Sequence, residues 1–179
     1  ELGCIDICFH QAANNDTTDK DKKGMMLANV ESPKLLFETL ANNGCKKFIY
    51  ASSSAVYGNS PAPFKEDETP LRPLNAYAES KVAFDEYVFN EFVKKYETSV
   101  IGFRYTNVYG FGEEHKKKRA SMIYQIIKKA LQDKEILLFK DGKQKRDWVY
   151  IEDVVHANMM AIDYPGSGIF NCGSGEATS

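Results

Sequence analysis

The chain is poor in several of the features that mark special environments. None of its apolar runs approaches the roughly 18 residues that a membrane helix needs, and no charged-then-apolar leader opens it, so no membrane association is expected. Neither charge dominates: 23 Lys plus Arg stand against 25 Asp plus Glu, a formal net charge of −2. A nucleic-acid binder or a membrane-surface binder would show a basic excess, so neither partner is expected. The four cysteines (Cys4, Cys8, Cys45, Cys172) form no C-x-x-C pair, and His10, His115 and His156 have no i,i+4 pairing. That spacing signals no metal site and no thioredoxin-type centre, and it fits free thiols in a reducing, cytoplasmic setting.

What is present is globular. Apolar residues make up 43% and charged residues 27% of 179 residues, enough for one domain, or one domain with a small appendage, around an ordinary core. Short apolar runs at 5–9, 47–52, 98–105, 136–139, 148–151 and 169–171 read as strands. Helical spacing of apolar residues marks helices from Ser32–Pro33 to Gly44, from about Asn75 to Tyr96, over 122–131 and over 152–162. Strands alternating with helices of this length predict an α/β fold: a doubly wound parallel sheet covered on both faces. Ligands of such sheets sit beyond the carboxyl ends of the strands, which directs attention to the residues after Phe9, Ala51, Tyr105 and Phe170.

Tyr77 and Lys81 lie four apart, on one helix face. A free phenol, with a pKa of about 10, is a poor base at neutral pH, and a neighbouring ammonium stabilises the phenolate. The spacing by itself is weak: 10 Tyr and 19 Lys in 179 residues give about one such pair by chance, and Tyr124 and Lys128 form a second. Context separates the two. Upstream of Tyr77 the strand KFIYAS runs into Ser53, a hydroxyl able to bond the same substrate oxygen that the phenolate deprotonates. Tyr124 has no comparable serine, and Ile123, Ile126 and Ile127 around it indicate packing.

In order along the chain stand S-S-S-A-V-Y-G (52–58), Y-A-E-S-K (77–81), R-Y-T-N-V-Y-G (104–110) and K-R-D-W-V-Y-I-E-D-V (145–154). This set resembles the extended short-chain dehydrogenase/reductase family, the NAD-dependent epimerases and dehydratases of nucleotide sugars. The resemblance implies a Rossmann-like sheet over 1–106 and 147–174, with 107–146 as part of a smaller substrate-binding domain. It implies Ser53, Tyr77 and Lys81 as catalytic residues, with Tyr77 the general base. The segments F-H-Q-A-A-N-N-D-T-T-D (9–19), Met25-Met26 and N-V-Y-G-F-G-E-E-H-K (107–116) narrow it further, to a branch acting on an ADP-linked heptose at C6 and serving lipopolysaccharide biosynthesis. There Lys116 is the second acid/base; a solvated basic loop facing an anionic substrate is the plainer alternative.

By position, the resemblance also implies cofactor contacts at Gln11, Ala12, Ala13, Asn14, Asn15, Asn29, Lys81, Val108 and Lys116. Substrate contacts fall at Ser53, Asn107, Lys118, Gln125, Phe139 and Arg146, whose planar guanidinium suits a diphosphate. The cofactor is NADP, or NAD, and homo-oligomers are usual. A UDP-sugar 4-epimerase and a non-catalytic nucleotide-binding domain remain alternatives. Dehydratases of the family place an Asp-Glu pair after the catalytic Ser or Thr, where this chain has Ser54 and Ala55. The G-x-G-x-x-G turn of dinucleotide folds is missing from these residues. A fragment without the first βαβ unit and the C-terminal part is therefore expected, and with it a chain that does not itself distinguish NAD from NADP.

Overall fold

The computed structural model describes residues 5–136 and 142–179, apart from the side chain of Lys118. Contacts divide the chain into two compact units. One holds Glu1–Arg104 with Asn158–Asn171, the other Tyr105–Ala157 with Cys172–Ser179.

In the first unit, β1 (Ile7–His10), β2 (Lys47–Ser53), β3 (Ser99–Tyr105) and β6 (Gly168–Cys172) form a sheet in the order β1-β2-β3-β6. β1 and β2 run parallel, with Phe9 opposite Ile49 and His10 opposite Tyr50. The central strands β2 and β3 are buried along most of their length, as the unbroken apolar runs predict for strands covered on both faces. The expected α/β class with its parallel sheet is the one found.

The helices flanking this sheet differ in one respect from the sequence reading. Ser32–Pro33 opens an α-helix as expected, but the helical chain does not begin there. The helical chain starts at α1 (Lys22–Met26), where the Asp21 carboxylate accepts the amide of Gly24 at 2.9 Å. It then passes through one widened π turn at Leu27–Glu31 into α2 (Ser32–Asn42). Proline inside a helix removes a hydrogen bond and collides with the carbonyl four residues back. The widened turn accommodates it: the amide of Ser32 reaches back five residues to the Leu27 carbonyl. The start of α3 (Ala76–Tyr87) matches expectation, with Asn75 accepting the amide of Ala78 at 2.8 Å. α3 continues through a second π turn into the short α4 (Val93–Lys95).

The core of this unit is aromatic. Phe37 of α2 is fully buried, stacks on Phe48 at 4.0 Å between centroids, and meets Tyr50, Phe84 and Phe92 edge-on. Helix and strand are thereby fixed face to face at the level from which β2 runs to its carboxyl end. Lys47 adds a polar tie. Its ammonium donates to the carbonyls of Ala161, Ile162 and Tyr164 at 2.6–3.1 Å, satisfying carbonyls that the end of α6 (Ile151–Asp163) leaves free.

The second unit is built on β4 (Asn107–Tyr109), β5 (Arg146–Tyr150) and β7 (Ala177–Thr178), with α5 (Met122–Ala130). β4 pairs parallel with β5, and β5 antiparallel with β7. Neither β4 nor β7 was expected from sequence, because three and two residues carry too little periodicity to register. Residues 147–157, assigned on sequence to the cofactor unit, cluster here with the second one. The reason is pairing: β5 hydrogen-bonds to β4 and β7, not to the larger sheet. Phe139, and most of the strand expected at 136–139, lie outside the described residues, as does Cys4.

Phe37→Ala is expected to destabilise the protein by about 3–5 kcal/mol, because it removes a large ring and leaves a cavity among four others. A lowered urea midpoint at unchanged slope would register it, whereas a loss under about 1 kcal/mol would place the core elsewhere.

Candidate functional site

Residue by residue, the carboxyl end of β2 sets the geometry. Tyr50 and Ser52 point to one side, and Ser53 ends the strand in an extended conformation (φ −153°, ψ 143°) with its hydroxyl accepting the Ala55 amide at 3.2 Å. A tight turn follows and closes at Gly58. There φ is +55°, and a Cβ would lie 1.7 Å from the Arg72 carbonyl oxygen, so only glycine fits.

α3 packs against this strand end. Its Tyr77 is half-buried and lies near enough to Ser53 for the serine hydroxyl to favour the ionised phenol. One turn on, Lys81 is 5% exposed. Its ammonium donates to the Ala51 carbonyl at 2.7 Å and lies 5.8 Å from the centre of the Tyr77 ring. Ser53, Tyr77 and Lys81 are therefore gathered at one strand end.

Spacing alone would not have chosen this pair. Lys128 lies 5.6 Å from the Tyr124 ring, nearly the same distance, but that lysine is exposed, and the neighbouring Ser121 hydroxyl is spent capping the helix, accepting the Tyr124 backbone amide at 3.1 Å and donating to Glu113 at 2.8 Å. Burial separates the two pairs. Removal from water pushes the Lys81 amine down to about 8, against the opposing pull of the Asp85 carboxylate. The phenol behaves otherwise than the sequence suggests. Burial holds Tyr77 above its ordinary value, and the Ser53 hydroxyl works the other way. In the protein alone the tyrosine is thus a protonated phenol. To act as a base it must first lose that proton, which additional positive charge beside it would favour.

The residues after β1 form the wall of an open cavity of about 400 Å³, lined by His10, Ala12, Ala13, Asn14, Ala28 and Leu36 among others. Methyl side chains at 12, 13 and 28 leave that space clear. This is a fit for a flat, largely apolar group such as part of a nicotinamide dinucleotide. Burial, and then the charge of Lys81, hold His10 below its ordinary value. Gln11 donates to Asn158 at 3.2 Å and Asn15 is exposed.

Asn29, expected from sequence to touch the cofactor, is engaged within the protein. It is 3% exposed and sits in the π turn. Its carbonyl oxygen accepts the Asn14 amide at 2.8 Å, and its NH2 donates to the Asn14 carbonyl at 2.9 Å and to Ser80 at 3.0 Å. Its side chain thus pins the loop that lines the cavity, with both amide hydrogens spent inside the protein.

Of the residues expected to touch substrate or cofactor, several lie in the second unit. Asn107 donates to the Asp147 carbonyl at 2.9 Å and so ties β4 to β5, with Val108 next to it in the same strand. Gln125 donates to the Ala120 carbonyl at 2.7 Å, and Arg146 to the Lys145 carbonyl at 2.8 Å. Lys116 is exposed on a 3-10 segment, Glu114–Arg119, within which Lys117 has φ +52°.

Sequence reasoning gave no role to Glu113, which organises this loop. It is 3% exposed and accepts the Gly110 amide at 3.1 Å, the Ser121 amide at 2.5 Å and the Ser121 hydroxyl at 2.8 Å. The carboxylate staples both ends of the loop that carries Lys116. Burial favours the neutral acid, yet the bonds from Ser121 and Gly110 together with Lys116 outweigh it and hold the carboxyl below its usual range. Also unassigned from sequence was Asp85, four residues after Lys81, which pairs with buried Arg104 at 3.2 Å. The i,i+4 spacing from Lys81 was the available signal.

A parallel sheet whose strand end gathers a serine, a tyrosine and a nearly sealed lysine beside an open cavity is the arrangement of the short-chain dehydrogenase/reductase class. The chain belongs to the NAD dependent epimerase/dehydratase family, whose model matches residues 2–173. It is 38% identical over 183 residues to the ADP-L-glycero-D-manno-heptose-6-epimerase of Alkalilimnicola ehrlichii, an alignment covering 98% of this chain and 56% of that protein. Among solved structures, the ADP-L-glycero-D-manno-heptose-6-epimerase of Helicobacter pylori superposes with a TM-score of 0.91 at 40% identity, over 98% of this chain and 55% of the other. A UDP-N-acetylglucosamine 4-epimerase from Methanobrevibacter ruminantium gives 0.90 at 30% identity, over 97% and 56%. The chain thus spans little more than half the length of these relatives. Among the described residues no helix is long and apolar enough to cross a membrane, and no group of His, Cys, Asp and Glu could hold a metal ion.

Glu113→Gln is expected to loosen the loop, since an amide cannot accept all three bonds at once. Trypsin should then cut at Lys116–Arg119 several-fold faster than in the wild type. Because the native carboxyl is held low, its contribution is present above the ordinary carboxylate range and lost as pH falls through the depressed value. Amide exchange at Gly110 and Ser121 should accordingly rise on acidification in the wild type and be flat in the variant. Equal trypsin rates in the two proteins would remove the staple.

Proposed function

We propose that this chain is the catalytic part of a nucleotide-sugar epimerase that interconverts ADP-D-glycero- and ADP-L-glycero-D-manno-heptose by transient oxidation at C6. The observation that carries the reading is the gathering of Ser53, Tyr77 and Lys81 at the end of β2. The likeness to heptose 6-epimerases supports the choice of sugar.

When bound, the nicotinamide cofactor (NADP, with NAD the alternative) accepts a hydride and returns it. Ala12, Ala13 and Asn14 would border it, together with Lys81. Tyr77, once ionised to the phenolate, takes the proton of the C6 hydroxyl as that carbon is oxidised, and Ser53 steadies the same oxygen by hydrogen bonding. Such donors contribute when they are already aimed at the oxygen before charge develops, and the Ser53 hydroxyl is held beforehand by the Ala55 amide, which it accepts at 3.2 Å. Lys81 keeps a positive charge near the phenol and favours its ionised form. The aldehyde then presents its other face, and Lys116 supplies the proton of the return step. Asn107, Lys118, Gln125, Phe139 and Arg146 are the proposed substrate contacts, with Arg146 on the diphosphate. The working protein is proposed to be a cytoplasmic homo-oligomer.

A second reading, a UDP-sugar 4-epimerase, is favoured by one observation: the 4-epimerase from M. ruminantium superposes almost as well, at a TM-score of 0.90.

The test uses the full-length gene product with ADP-D-glycero-D-manno-heptose and follows formation of the L-glycero epimer. Tyr77→Phe and Lys116→Met should each lower the rate by about 10²–10⁴-fold, with unchanged circular dichroism. Wild-type rates in both variants would dismiss the two-base scheme. Turnover of UDP-galactose without turnover of the heptose would transfer the assignment to the second reading.

A further inference from the structure

The proposed chemistry leaves one nearly sealed ionised group without a task. Asp85 lies one helical turn beyond Lys81 on the same face of α3 and is 4% exposed. Its carboxylate accepts from the Tyr50 hydroxyl at 2.8 Å, the Ser52 hydroxyl at 3.0 Å and Arg104 Nε at 3.2 Å. A buried carboxylate is tolerated only when paired and hydrogen-bonded, and all three donors come from β2 and β3. The approach of Tyr50 is made possible by Gly102, where a Cβ would stand 2.7 Å from the tyrosine oxygen.

Arg104 does not serve Asp85 alone. Its Nη1 also donates to the Tyr57 hydroxyl at 3.0 Å and to the Glu66 carbonyl at 3.3 Å.

The strand end is therefore gripped at successive residues from one side of α3. Lys81 holds the Ala51 carbonyl at 2.7 Å, and Asp85 holds the Ser52 hydroxyl at 3.0 Å. Ser53 comes next, and Tyr77 stands one turn before Lys81. A slip of α3 along β2 would break both grips and separate Tyr77 from Ser53.

We propose that Asp85 is a positioning residue: its grip on Ser52, one turn beyond the grip of Lys81 on Ala51, sets the register of α3 on the strand end, and its carboxylate, while paired with Arg104, also supports the buried ammonium one turn away. The proposal rests on the reading of Ser53, Tyr77 and Lys81 as the reacting set.

The charges around Lys81 are few. His10 faces it from β1, Tyr77 and Asp85 share its helix, Arg104 stands beyond Asp85 on β3, and β2 offers the Ala51 carbonyl. Burial is what lowers the Lys81 amine to about 8, and Asp85 is the group that opposes it. Removing the carboxylate therefore moves the amine further down and leaves less ammonium at neutral pH.

The experiment compares full-length wild type, Asp85→Asn and Asp85→Glu, with the Lys81 amine titrated by NMR of ¹³Cε-labelled lysine and assigned through Lys81→Arg. In Asp85→Asn the Lys81 titration should fall by a unit or more, a tenfold or greater loss of ammonium relative to amine at a given pH. Asp85→Glu should restore most of it. In turnover, kcat should drop tenfold or more with KM within about twofold, and the pH-rate profile should move in the same direction as the titration. Should Asp85→Asn fail to fold, the pair Asp85→Asn/Arg104→Met removes both buried charges together. In that pair the Lys81 amine is still buried and without the carboxylate that opposes its burial, so the Lys81 titration should still fall. An unmoved Lys81 titration in a folded variant overturns the proposal. Absence of epimerase turnover in the wild type would instead refute the reaction assigned above, while the titration still decides the role of Asp85.

Discussion

A lysine amine held almost out of water against the carbonyl of a strand end is the constraint on which the arrangement rests. Lys81 is long enough to have reached solvent, and most lysines do. Here its ammonium is fixed at 2.7 Å from the Ala51 carbonyl. That bond works only if α3 lies at one height against β2, and the same height brings the Tyr77 hydroxyl to Ser53. Local backbone geometry prepares both sides. Asn75 caps the helix just ahead of Tyr77, and the turn closed by Gly58 at φ +55° ends the strand just behind Ser53.

The surrounding core serves this registration. The rings of Phe37, Phe48, Phe84 and Phe92 interlock at centroid distances of 4.0–5.8 Å between α2, β2, α3 and its π-turn extension. Close packing of this kind resists sliding, because a shift of one residue would turn ring against ring. The polar layer beyond it acts by a different principle. Tyr57 donates to the Asn171 side chain at 2.7 Å while receiving from Arg104, and the Asn171 amide donates to Glu66 at 2.7 Å. Few buried polar networks tolerate partial satisfaction; here each member has partners, so the loop between Phe64 and Thr69 is bound to the sheet rather than left to solvent.

Two carboxylates illustrate how burial and hydrogen bonding compete for one kind of group. Asp85 and Glu113 are both nearly inaccessible. Burial dominates at Asp85, which is held above the ordinary aspartate value despite Arg104 and two hydroxyl donors. At Glu113 two backbone amides and a hydroxyl converge, and the balance falls the other way. Convergent amide donors fixed in place by a turn stabilise the anion without having to be reorganised, which is why the loop bearing Lys116 can be held by a single side chain.

The α/β class, the main strands and helices, and the trio Ser53, Tyr77 and Lys81 were legible in the sequence, because apolar periodicity and motif order depend on local chemistry that survives without coordinates. The helix start at Lys22 was hidden, since Asp21 resembles its acidic and basic neighbours and Pro33 pointed to a later beginning. β4 and β7 are too short to show a period. Asn29 shows the same limit: its residue type fits a ligand contact, and only the approach of Asn14 and Ser80 reveals that its amide hydrogens are spent inside the protein. The chain by itself determined which groups are available and on which element each one rides. Tertiary structure decided which of two equally spaced tyrosine–lysine pairs is sealed from water, and it placed Asp85, Arg104 and Glu113. Dehydration and the convergence of donors from distant segments arise only when strands and helices meet.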